Sequence, residues 1–173
     1  MKFRRNKQKF SIRDIFFTII FTIAFLIQIS IMIFVYNDLG LTFLTYIGWI
    51  VWLFSLYFAL IPFFKFKKRG EVEKGKNYTQ TTKLVKDGPY AVVRHPQYLG
   101  GILFTISITL WSQVWLSLVL SILIVILTYQ WTYSEDNKLI EKFGKDYESY
   151  KKKVPRLNPI LGIIKYLSQR KKI

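Results

Sequence analysis

The chain has 173 residues, 51% of them hydrophobic and 18% aromatic, and a formal net charge of +16. That apolar share is too high for an ordinary soluble domain of this length. With no cysteine and a single histidine, disulfides, thiolate catalysis and cysteine–metal sites are excluded, and no metal centre is expected.

Lys2, Arg4, Arg5, Lys7 and Lys9 precede the first apolar run, which invites comparison with a signal peptide. The run is too long for a signal h-region and no small-residue cleavage site follows, so a retained helix is expected. Residues 15–36 and 41–64 carry no charge, and only Asp38 lies between them. Each meets the roughly 20 residues needed to cross a hydrocarbon core of about 30 Å. Ile61-Pro62 is expected to loosen the end of the second span, after which Lys65-Phe66-Lys67-Lys68-Arg69-Gly70 leaves the membrane. Residues 70–87 are polar and mixed in charge, and too long merely to turn the chain. A loop folded onto the core is expected there.

Asp87-Gly88-Pro89 signals a turn. Residues 90–93 suit either a short helix or an extended segment. Pro96 has the fixed φ of a first helical residue, with His95 at the N-cap, where free N–H groups and the positive dipole end attract anions. Residues 98–111 alone fit a buried or re-entrant helix. Joined through Ser112-Gln113 to the long apolar run 114–133, they read as one arm of a tight hairpin. Gly100-Gly101 allows close approach of either a neighbouring helix or a ligand. Beyond Tyr133, Leu139, Ile140, Phe143, Tyr147 and Tyr150 recur at helical spacing, predicting an amphipathic helix that Val154-Pro155-Arg156 ends. Residues 160–167 suit an interfacial segment.

The fold class predicted is therefore all-α: a multi-pass membrane bundle of about four transmembrane helices. A cytosolic loop and a C-terminal amphipathic helix complete it. All 26 Lys and Arg fall in residues 1–14, 65–94 or 138–173, and none in an apolar run or in the turns at 37–40 and 112–113. Four spans put those three segments on one side, so both termini are expected in the cytosol. The basic excess then reflects topology and attraction to anionic lipid rather than nucleic-acid binding.

His95 and Glu135 begin and end the hairpin, and so return to one membrane level. On residue type alone His95 suits either a cap or a ligand contact. Glu135 and Asp136 are either solvated boundary residues or part of a site. Tyr129, Trp131 and Tyr133 equally fit an interfacial aromatic belt.

The residues Leu84-Val85, Gly88-Pro89-Tyr90, Arg94-His95-Pro96-Gln97-Tyr98, Glu135 and Phe143-Gly144-x-x-Tyr147-x-x-Tyr150, ending in Val154-Pro155-Arg156, resemble the isoprenylcysteine carboxyl methyltransferase family. This group of integral membrane methyltransferases includes phospholipid methyltransferase-like proteins, and the match covers roughly the C-terminal 100 residues. The resemblance implies S-adenosylmethionine as cofactor, bound without a Rossmann domain. Its contacts would be Thr82, Lys83, Leu84 and Val85 from the loop, then Tyr90, His95, Pro96, Gln97, Tyr98 and Glu135. It also implies a lipid-like or small apolar methyl acceptor, such as a prenylcysteine-type carboxylate, entering laterally from the membrane.

In the prenylcysteine enzymes a basic residue four positions before the glutamate contacts the substrate, and here that position is Trp131. Arg94 or Arg156 is the candidate replacement. A carboxylate acceptor needs no general base, so no catalytic residue is assigned and rate comes from alignment and loss of water. One domain is expected over residues 1–173, with a helix pair at 15–64 and the catalytic part at 65–162. A prokaryotic cell membrane fits a chain so short and so rich in lysine and isoleucine. The rival readings are an NADPH-dependent membrane reductase of the sterol-reductase type and a non-enzymatic membrane protein. A transporter should carry charge inside its spans, and here the spans hold only scattered Ser, Thr and Gln.

Overall fold

The computed structural model describes residues 12–69 and 82–170. The basic N-terminal segment and residues 70–81 of the loop expected to fold onto the core lie outside them. The described chain is helical: α1 (Ile12–Phe34), α2 (Thr42–Arg69), α3 (Pro89–Val92), α4 (Pro96–Ser112), α5 (Trp115–Phe143), α6 (Lys145–Lys153) and α7 (Pro159–Arg170). Among the described residues three stretches are long and apolar enough to cross a membrane: Ile15–Phe34, Thr42–Lys65 and Trp115–Phe143.

The fourth expected span, α4, has 17 residues. At 1.5 Å per residue it is about 25 Å long. Its polar residues Thr105, Ser107 and Ser112 are fully buried, because α4 is the centre of the bundle. It packs against α2 on one side and against α1 and α5 on the other. Gly100 permits the first contact: a Cβ there would lie 2.8 Å from the Ala59 backbone nitrogen of α2. Outward-facing residues such as Ile19, Ile23 and Leu26 on α1, and Leu53 and Phe54 on α2, are exposed, as lipid-facing positions are.

The scattered polar residues of the spans converge. Gln28 of α1 is fully buried, and its Nε2 donates to the Thr105 carbonyl at 3.0 Å, to Thr109 Oγ1 at 3.1 Å and to Ser117 Oγ at 3.3 Å. Thr105 Oγ1 returns a bond to Gln28 Oε1 and lies 3.0 Å from Ser121 Oγ. Hydrogen bonds of this kind hold membrane helices together where no hydrophobic force distinguishes helix from lipid.

The two uncharged turns meet at one end of the bundle. The Asn37 and Asp38 amides donate to the Trp111 and Ser112 carbonyls at 2.8 and 3.0 Å. Gln113 fastens the same corner, its amide exchanging two 3.0 Å bonds with the Leu41 backbone.

Two local expectations are revised, and one open choice is decided. Pro62 does not loosen α2, which continues through it to Arg69. Residues 89–92 are helical. The amphipathic segment is not separate from the last span: α5 runs unbroken to Phe143, and the break falls at Gly144. With φ 55° and ψ −132°, Gly144 occupies a region that side chains exclude, which frees α6 to fold back. At the far end Gly162 brings α7 onto α3, since a Cβ there would overlap the Val92 carbonyl oxygen.

Candidate functional site

His95 caps α4 and Pro96 opens it, as expected, but the His95 side chain makes no capping bond. Its Nε2 instead lies 2.8 Å from Oδ1 of Asp136 on α5. Asp136 is 1% exposed and is the hub of the site. The Tyr147 hydroxyl of α6 donates to the same Oδ1 at 2.5 Å. Arg156 donates to Oδ2 through Nε at 3.0 Å and Nη2 at 2.8 Å, and Arg94 Nη1 lies 3.3 Å from Oδ2. A carboxylate this deeply buried is tolerable only with such a set of charged and hydrogen-bonded partners.

The chain path explains the convergence. The Arg94 and His95 amides donate to the carbonyls of Pro155 and Arg156 at 2.9 and 3.2 Å, so the segment after α6 runs beside the start of α4. Tyr150, one turn beyond Tyr147, donates its hydroxyl to the Tyr90 carbonyl at 2.6 Å and ties α6 to α3. Tyr147, Tyr150 and Val154 form a buried cluster with Leu84, Leu139, Ile140 and Phe143 around them. Burial, then the bond to Asp136, pushes the Tyr147 hydroxyl well above its ordinary range. Burial does the same to Tyr150, opposed by Arg94 and assisted by the Asp136 charge.

In front of this network is a cavity of about 350 Å³, here the His95 cavity. Leu84, Val85 and Tyr90 line one side; His95, Pro96, Gln97 and Tyr98 line the start of α4; Glu135 faces them from α5. Eight of the ten residues assigned to the cofactor from sequence thus surround one space. The other two, Thr82 and Lys83, are exposed and do not line it. Leu139, Lys142, Phe143, Tyr147 and Tyr150 complete the wall. Glu135, Leu139 and Lys142 fall at i, i+4 and i+7, so one face of α5 points inward. His95 and Glu135 do return to one level, and α5 divides the acidic pair: Glu135 toward the cavity, Asp136 into the protein.

A second space of about 310 Å³, the Trp131 cavity, opens between α1, α4 and α5. It shares Gln97 and Tyr98 with the His95 cavity. Phe17, Phe21, Leu127 and Trp131 give it an apolar wall, and Gly101 lines it with open space where a Cβ would stand. The two Gly residues therefore divide the alternatives: Gly100 admits a helix and Gly101 faces a cavity.

Of the two arginines proposed for the acceptor, Arg156 is committed elsewhere. Besides its paired bonds to Asp136, its guanidinium carbon sits 3.5 Å over the Tyr133 ring centroid. Burial works against its charge, but Tyr133 and Asp136 more than offset this and its pKa rises. Arg94 lines the His95 cavity, with a side chain 6% exposed and with Nε and Nη1 making no hydrogen bond. Neither arginine lines the Trp131 cavity.

Residues 43–146 match the sequence model of a family described as phospholipid methyltransferase. Among curated proteins, the protein-S-isoprenylcysteine O-methyltransferase of Schizosaccharomyces pombe is 35% identical over 79 residues, which are 45% of this chain and 34% of that protein. The chain thus aligns with about a third of that relative's length. No solved structure matches it.

Proposed function

The chain belongs to the phospholipid methyltransferase family, and on that premise we propose that it is a membrane methyltransferase whose His95 cavity binds S-adenosylmethionine and whose Trp131 cavity binds a lipid-like acceptor. The observation that carries this reading is the gathering of Leu84, Val85, Tyr90, His95, Pro96, Gln97, Tyr98 and Glu135 around one cavity that abuts an apolar one.

The residue types suit the cofactor. Glu135 offers a carboxylate to the ammonium or ribose hydroxyls. The start of α4, whose first residue is proline, leaves the amides of Gln97 and Tyr98 to a carboxylate at the positive end of the helix dipole. Tyr90 and Tyr98 provide aromatic faces for adenine or the sulfonium. His95 is held by Asp136 through Nε2, which turns Nδ1 away from that carboxylate and makes it available to a ligand group. Asp136, Tyr147 and Arg156 are positioning residues, since they act through His95 and through the path of the backbone.

The reaction is displacement of a methyl group from sulfonium sulfur to an acceptor atom at the boundary of the cavities, beside Gln97 and Tyr98. Alignment in such a site supplies much of the rate, about 7–11 kcal/mol in well-oriented intramolecular reactions. The acceptor enters from the bilayer and the cofactor from the basic face, which on charge distribution is cytosolic together with both termini. The whole chain works as one unit in this reading, since α4 of the catalytic part packs on both N-terminal helices.

The test is transfer of a tritiated methyl group from S-adenosylmethionine into a lipid extract by purified protein in nanodiscs, run beside NADPH-dependent reduction of the same extract. Label in an extractable product supports the proposal. NADPH oxidation without methyl transfer would replace it with the reductase reading.

A further inference from the structure

The Trp131 cavity says what its occupant lacks. Among the described residues it is lined by Phe17, Phe21, Leu127 and Trp131, with the neutral polar groups of Thr18, Gln97, Tyr98 and Thr128, and by no charged side chain. An anion carried into such a wall loses its hydration and meets no cation among the described residues that line it. Among the described residues, the two arginines of the adjoining site both point at Asp136 Oδ2, at 3.3 Å for Arg94 and 2.8 Å for Arg156. Freeing either would leave Asp136 buried with its charge less compensated.

We propose that the methyl acceptor is an uncharged amphiphile: an aliphatic or isoprenoid chain in the Trp131 cavity, headed by a hydroxyl group, phenolic for reactivity, that meets the cofactor at Gln97 and Tyr98. This rests on the reading of the His95 cavity as the cofactor site. Hydroxyl and amide side chains at the boundary suit a neutral O–H, which both donates and accepts hydrogen bonds. In the transfer the sulfonium C–S bond breaks with its electron pair staying on sulfur, and the acceptor oxygen forms the new O–CH3 bond. The hydroxyl proton passes to water in the His95 cavity. Trp131 sets the specificity in this account, because it gives the cavity wall a large uncharged indole.

The experiment compares N-acetyl-S-farnesylcysteine with its uncharged methyl amide. Binding is measured by calorimetry on wild type, Trp131→Arg and Trp131→Leu in the same detergent, with S-adenosylhomocysteine present. Partition into micelles is common to all three proteins, so differences between them in the ratio of affinities report the site. Wild type and Trp131→Leu are expected to favour the amide at least tenfold, and Trp131→Arg to reverse the order. In turnover with labelled cofactor, a farnesylated phenol should be methylated and the cysteine carboxylate should not. Wild type that binds the carboxylate as tightly as the amide, or methylates it, overturns the proposal. So does an unchanged order in a Trp131→Arg protein that still binds S-adenosylhomocysteine. If that variant does not fold, the order in wild type and Trp131→Leu still decides. Failure of wild type to bind either cofactor form strikes the cofactor reading instead, and is seen separately.

Discussion

His95 and Asp136 lie 41 residues apart in the chain and meet at 2.8 Å, closing the open end of the α4–α5 hairpin. The bond holds one nitrogen of the sole histidine on the protein side and leaves the imidazole on the wall of a cavity that Glu135 faces. Adjacent acidic residues on α5 thereby take different work, one facing the cavity and one supporting its wall.

The hub should be costly to remove. Breaking a buried ion pair by deleting one partner costs about 3–5 kcal/mol, because the other charge stays buried. Asp136→Ala strands Arg94 and Arg156 and should lose stability of that order in thermal or denaturant unfolding in detergent. Tyr147→Phe removes one bond to the carboxylate and should cost about 1.5–3 kcal/mol. An Asp136→Ala protein as stable as wild type would mean that this network does not hold the site together.

The glycine pair separates fold from function. Gly100→Ala drives a Cβ to 2.8 Å from the α2 backbone, whereas Gly101→Ala meets nothing within 4 Å. Overpacking costs about 1–3 kcal/mol, so Gly100→Ala should lower the unfolding temperature and Gly101→Ala should not. Gly101→Leu should fill the Trp131 cavity, leaving cofactor affinity unchanged and methyl transfer to a long-chain acceptor strongly reduced. Full activity in Gly101→Leu would place the acceptor elsewhere.

Alkaline pH should weaken the fold in a defined way. Tyr147 and Tyr150 have hydroxyls raised above the ordinary 10.0, first by burial. A native pKa above the unfolded one stabilises fully below about pH 10 and loses that contribution as pH rises beyond it, where only the unfolded chain releases the proton. Unfolding free energy should fall above pH 10, and the fall should be shallower in Tyr147→Phe. Parallel pH profiles for the two proteins would contradict the assignment.

The charge pattern and the contact between the two bare turns predict one topology. Reporter fusions at Asp38 and Ser112 should behave as external, and fusions after residues 75 and 173 as cytosolic. A cytosolic Ser112 would break the hairpin account.

Much of this was legible in the sequence because it rests on strong local signals. Runs without charge marked the spans, Pro96 marked the start of α4, and the resemblance around residues 82–98 and 135 named most of the His95 cavity wall. Residue type and position do not separate Asp136 from Glu135. Two neighbouring carboxylates at a membrane end read alike until α5 is seen to run on to Phe143 and turn them to different faces. Tyr147 and Tyr150 stood in a recognised motif but drew no role, since their partners Asp136 and Tyr90 come from other elements. The polar seam at Gln28 was hidden for a similar reason. Thr105 and Thr109, and Ser117 and Ser121, each sit one helical turn apart, but only packing against α1 makes those pairs a cluster.

The central claim is that the cavity between His95 and Glu135 holds S-adenosylmethionine, and calorimetric titration of the purified protein tests it most directly. Wild type should bind the cofactor. His95→Ala and Glu135→Ala, shown to be folded, should each bind it roughly tenfold or more weakly, as expected for loss of a hydrogen bond involving a charged group at about 1.5–3 kcal/mol. Wild-type affinity in both variants, or no binding by wild type, would contradict the account.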